Sequence, residues 1–283
     1  MIGAVRLFGE WGGFMVGWRA IVLVFGERCL MDVRELFEDE LRRRGLTFSI
    51  DPQSGRHELE IGGGQMLVSL DNLQRDVGRD GDAGRVSRFV DAVVASSGES
   101  DNSLSADQLY WSLEPSDYEE RADFRVAMSD RVDRVLVCVS ADRRLISWVT
   151  PSMLDSLGLG EADAGARAFA NLGLALSEAS VHVEDIDGVQ LGFVNTVLPL
   201  KASLILAPNL CDVVGPMLGW PLMAVVPDRD FLYLWAARHT DLVQRVGSVV
   251  MNEYSQASYP ISTEVYEISD EEIRAVGEFP REA

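Results

Sequence analysis

The run SVHVEDIDGVQLGFVNT, residues 180–196, constrains the fold more than any other stretch. Apolar and polar residues alternate on both sides of Asp187-Gly188. Alternation of period two puts one set of side chains on one face of a strand, and an Asp-Gly pair accepts the left-handed backbone of a tight hairpin turn. The run therefore predicts an antiparallel hairpin. Two more hairpins are predicted: VDRVLVCVSADRRLISWVT (132–150), around a charged turn, and PLMAVVPDRDFLYLWAA (221–237). QLYWSLEP (108–115), KASLILA (201–207) and PISTEVYEIS (260–269) read as further strands. Helices are predicted from Thr150-Pro151 onward, over 161–177, near 208–218 and over 239–256. Proline suits a first helical position, where its missing N–H would be unpaired anyway. Hairpins followed by helices predict an α+β fold, with a mostly antiparallel sheet and helices on one face.

A smaller unit precedes this one. Val33, Leu36, Phe37 and Leu41 share one face of a helix, and Arg42-Arg43-Arg44-Gly45 supplies cations and a glycine to close it. LTFSI (46–50), RHELEI (56–61) and QMLVSL (65–70) alternate between turn sequences, as in a meander. Asp71-Asn72 suits the cap of a short helix, and Val86, Phe89, Val90, Val93 and Val94 recur at helical spacing. The expectation is a small α-β-β-β-α domain over 31–97, a polar linker at 98–107 and a larger α+β domain over 108–283. Residues 1–30 are apolar but broken by Arg6, Glu10 and Arg19. They hold no run of about 18 uncharged apolar residues and no cleavage site for a leader. The expectation for them is an upstream extension or misassigned start ahead of Met31, with an extra element packed on the domain or a membrane contact as the alternatives.

A net charge of -20 over 283 residues repels phosphate backbones, so nucleic acid is not an expected partner. Apolar residues at 47% place the chain among globular proteins rather than disordered ones. Lys201 is the single lysine, and the reading for it is a stem lying at a strand edge. Cys29, Cys138 and Cys211 fit no zinc or redox spacing, which agrees with a reducing cytoplasm.

Few constellations promise chemistry. His57, His182 and His239 fall in separate segments, and no metal motif is present. Asp228, Asp230 and His239, with Asp241, converge only if the end of a hairpin meets the start of a helix. Together they would form the acidic site of a hydrolase; read singly, they are a charged turn and a helix cap. Arg167 and Asn171, four apart, share a helix face and suit either a ligand or a neighbouring loop. IGGGQ (61–65) is a turn between strands, lacking the helix that a phosphate cradle needs. EDID (184–187) and SDEE (269–272) are read as a solvated turn and an acidic helix start. No catalytic residue, metal or cofactor is assigned. Trp111, Trp148, Trp220, Tyr233 and Trp235 suit a packed interior, or a protein-binding face if they line one.

Four phrases carry a family resemblance: LISWVTPSMLDSLGL, ARAFANL, VVPDRDFLYL and NEYSQASYPISTEVYEI. With the order of elements, from about Val33 to Gly277, they resemble the YtpQ-like family of bacterial proteins. The family's helix reads Arg-Phe-Asn-Leu where this chain has Ala168-Phe169-Ala170-Asn171-Leu172. Its hairpin carries His-x-Asp where this chain has Asp228-Arg229-Asp230, so Asp230 matches and the histidine is absent. The resemblance implies an architecture and a start near Met31, and carries no activity with it. The combined expectation is a cytoplasmic, non-membrane, non-enzymatic binding or regulatory module that recognises another protein. The rival is the hydrolase at Asp228, Asp230 and His239.

Overall fold

The computed structural model describes residues 32–52, 55–61, 64–68, 70–97, 104–118, 122–141, 143 and 145–280. Residues 1–30, with the expectation about Met31, lie outside the described residues.

The chain enters through α1 (Val33–Arg43), whose Val33, Phe37 and Leu41 are buried. Arg42 pairs with Glu38 and Asp39 on the same helix, and Gly45 takes the left-handed conformation that turns the chain. Strands β1 (Phe48–Ile50), β2 (His57–Ile61) and β3 (Gly64–Val68) form an antiparallel meander. Helices α2 (Asp71–Asp80) and α3 (Gly84–Ser97) follow. The order is thus α-β-β-β-α-α, because Asp71–Asp80 makes a ten-residue helix of its own. Phe37, Leu41, Leu59, Val77, Val86 and Val90 meet in a core that this segment completes by itself. His57 belongs to it: the ring is 1% exposed, sits edge-on to Phe37 and lies 3.1 Å from a Glu38 oxygen.

Two further sheets follow, and every pairing in them is antiparallel. In the first, β6 (Val132–Val139) pairs with β4 (Leu109–Pro115) on one side. On the other it pairs with β5 (Arg125–Ala127) and β7 (Ile146–Trp148). Helix α4 (Pro151–Leu157) begins at Thr150, whose hydroxyl accepts from Met153 N, with Pro151 at the first position as predicted. Helix α5 (Glu161–Glu178) then leads into the second sheet, built from β8 (Ser180–Ile186) and β9 (Val189–Asn195). Asp187 and Gly188, with φ of 52° and 83°, make the predicted turn between them. Helix α6 (Leu210–Leu218), β10 (Leu222–Val225), β11 (Tyr233–Ala236), α7 (Leu242–Gln256), β12 (Glu264–Ile268) and β13 (Ile273–Glu278) complete the chain. Strand order in this second sheet is β13-β12-β10-β11-β9-β8.

Three expectations are corrected. The single sheet is two, and the six-stranded one is covered on both faces. Leu222, Ala224 and Leu234 join one core, while Met223, Val225 and Trp235 join another with Leu242, Val246 and Val250 of α7. KASLILA is a 3₁₀ helix over Lys201–Leu206, not a strand. Its residues from Ala202 to Leu206 are all buried, and a short continuous apolar run does not reveal its period. SDEE opens no helix; Ser269 Oγ accepts from the backbone N–H of Glu271 and Glu272, which turns β12 into β13. No helix of the described residues is long and apolar enough to cross a membrane.

Candidate binding groove

Helix α5 leans on β4, and the contact leaves a groove at the C-terminal end of the helix. A buried amide sets the helix in place. Asn171, 3% exposed, donates through Nδ2 to Ala106 O at 2.9 Å and to Leu109 O at 2.8 Å. These carbonyls belong to the 3₁₀ turn Ala106–Gln108 and the first residue of β4. One turn of helix earlier, Arg167 Nη1 lies 3.7 Å from Asp107 Oδ1, at the surface. Of the predicted pair, Asn171 holds the neighbouring segment by hydrogen bonds, and Arg167 only approaches it at the surface. Trp111 Nε1 donates to Gly165 O, and Ser203 Oγ accepts from Leu113 N. Asn171 and Ser203 thereby meet two backbone groups, Leu109 O and Leu113 N, of β4, whose outer edge no strand of the described residues pairs.

The groove measures about 470 Å³. Its walls are Tyr110 of β4, Arg143 of the β6–β7 turn, Leu174 and Glu178 of α5, and the segment Asn195–Leu198 after β9. Leu174 is 64% exposed and Val197 72%, the two highest values among the large apolar side chains of the described residues. Polar groups alternate with them. Burial pushes the Tyr110 phenol above its ordinary range; Glu178 and Asp107 add to the shift and Arg143 opposes it. Arg143 holds a left-handed backbone with φ of 61°, uncommon for a side chain with a Cβ. Ser180 also lines the groove and opens β8, the last strand of its sheet, whose outer side pairs with no further strand among the described residues.

The other residues singled out from the sequence are placed elsewhere. Asp228 accepts at Oδ1 from Asp230 N at 2.7 Å and at Oδ2 from Tyr259 N at 3.3 Å. It shapes the β10–β11 turn and bridges to Pro260. Burial raises its carboxyl above the usual range, and the two backbone bonds hold it back. Asp230 is exposed in the same turn. His239 lies past the far end of β11, so the full strand separates it from the two aspartates, on the order of 10 Å at about 3.3 Å per residue. The structure therefore brings Asp228 and Asp230 together and leaves His239 apart.

Among the described residues no three His, Cys, Asp or Glu side chains could hold a metal ion. Cys138 is buried, and desolvation pushes its thiol up to about 11, away from the reactive thiolate. Ser180 Oγ lies 3.3 Å from His182 Nε2 on exposed β8, but no carboxylate hydrogen-bonds that ring among the described residues. A hydroxyl and an imidazole without the orienting third group make a poor nucleophile.

Sequence reasoning passed over Leu174, Val197, Tyr110 and Arg143. A signal existed for two of them. Leu172 and Leu176 fall on the buried face of α5 and Leu174 does not, and Val197 is apolar in a short loop between a strand and a proline. Comparison with family models, with curated proteins and with solved structures finds no match for this chain.

Proposed function

We propose that the chain is a binding module without catalysis of its own, and that its groove takes an extended segment of another protein. The observation that carries this reading is the pairing of Leu174 and Val197, apolar and exposed at 64% and 72%, across one concave surface. Isolated exposed apolar residues are ordinary, but two lining one groove among polar groups resemble the anchor pockets of peptide recognition. The neighbouring outer edge of β8 offers backbone N–H and C=O groups to a strand laid beside it. The resemblance to the YtpQ-like family, carried by short phrases, is consistent with this reading without adding an activity.

The test is selection of peptides from a display library on the wild-type chain, with the double variant Leu174→Asp, Val197→Asp as counter-target. Both positions are exposed, so the variant keeps its circular dichroism and melting temperature. Peptides retained by the wild type and released by the variant are the expected outcome. Equal recovery on both, or none on the wild type, overturns the reading.

A further inference from the structure

A second cavity, of about 460 Å³, lies between the β5–β6 turn and the β12–β13 ladder. Three of its lining residues are carboxylates: Asp130, Glu264 and Glu278. Arg131, which also lines it, is held by Glu278, with Nε 3.5 Å from Oε2. Glu264 is the unusual member. It is 5% exposed, and the hydroxyls of Ser129 (2.7 Å), Ser262 (3.2 Å) and Tyr266 (2.7 Å) all donate to one of its oxygens, Oε2. Among the described residues the other oxygen, Oε1, accepts no hydrogen bond, and it is not one of the side-chain atoms sealed from solvent without a partner. It therefore keeps contact with solvent, and Glu264 lines the cavity.

A carboxylate withdrawn from water is costly unless a cation or a full set of donors offsets the loss. Here the donors cover half of the group, and no arginine, lysine or histidine pairs with Glu264 among the described residues. Its cross-strand neighbour makes matters worse. Glu264 stands directly opposite Glu278 in the β12–β13 register, and like charges in that relation destabilise a sheet. The ladder slips between Val265 and Tyr266, and a bulge of this kind re-aims side chains beside functional sites. Gly277 leaves open space where a side chain would stand.

We infer that this cavity binds a primary ammonium group. An ammonium presents three N–H donors and one positive charge, which match the open oxygen of Glu264 and the carboxylates of Glu278 and Asp130. The site is separate from the groove at Leu174 and Val197 and does not depend on it.

Isothermal titration of the full chain with 1,4-diaminobutane and with N-acetyl-lysine amide tests the inference. Tetramethylammonium, which has the charge and no N–H, is the control. Expected are saturable, salt-sensitive binding of an amine, at least several-fold weaker binding of tetramethylammonium, and a loss on the order of tenfold or more in Glu264→Gln. Binding of the diamine alone assigns a free amine as the ligand; binding of both admits a lysine side chain. Should Glu264→Gln fail to fold, Glu278→Gln, at a half-exposed position, carries the test and is expected to weaken binding as well. No saturable binding of either amine, equal binding of tetramethylammonium, or unchanged affinity in whichever variant folds overturns the inference.

Discussion

Asn171 shows what a buried amide does in this chain. Both of its N–H donors go to backbone carbonyls of the segment that opens β4. Replacement by alanine leaves Leu109 O buried without that donor, while Ala106 O keeps its bond from Leu109 N; the orphaned carbonyl costs about 1–3 kcal/mol. Asn171→Ala is therefore expected to lower the unfolding free energy in urea by that amount, while Arg167→Ala, which removes a surface contact at 3.7 Å, changes it little. Equal losses would show that the two residues act as one unit. Glu114 presents the opposite case, a carboxyl that the fold tolerates. Burial raises it; Arg229, a bond from Ser112 Oγ at 2.8 Å, and Arg125 hold it down. With the folded pKa above the unfolded one, the group favours the folded state below the unfolded pKa. That advantage is lost as pH rises through the folded value. Glu114→Gln cannot ionise, so its unfolding free energy is expected to gain on the wild type as pH rises from about 4 to about 7. A gap that narrows with pH would contradict this.

At the scale of elements, close approach decides which residues are permitted. A Cβ added to Gly192 of β9 would stand 2.6 Å from Leu218 Cδ1 of α6, and Leu218 is 2% exposed. Gly192→Ala is expected to cost about 1–3 kcal/mol in guanidinium unfolding, because Leu218 has little room to yield. An unchanged midpoint would mean that α6 slides on the sheet without penalty. Most hairpins were legible at this scale. Asp187-Gly188 fixed one turn, and alternation with a charged turn placed β6 against β7. KASLILA was not legible, because a run buried throughout offers no contrast between faces. Strand β13 was passed over because nearly all of it is exposed, so IRAVGE shows no apolar face.

At the scale of the whole molecule, the described chain from Val33 onward is one compact unit built on several cores. The segment with α1–α3 touches the rest through Arg75, which donates to Ser258 O, and through Ser258 Oγ, which donates to Asp76. Neither contact has a signal in the sequence, since the partners lie more than 180 residues apart. Neither candidate site was legible either. The groove joins β4, the β6–β7 turn, α5 and the end of β9, and the ammonium cavity joins the β5–β6 turn to the β12–β13 ladder.

By itself the sequence determined the local matters: antiparallel hairpins, the helix begun by Thr150-Pro151, and the acidity of the chain. These depend on residues within a few positions of one another, or on composition. Only the tertiary structure decided that there are two large sheets rather than one, and that α7 covers the second face. It also decided that His239 stands apart from Asp228 and Asp230, and that Glu264 lies opposite Glu278. Those outcomes depend on register and on which buried faces meet, and local periodicity specifies neither.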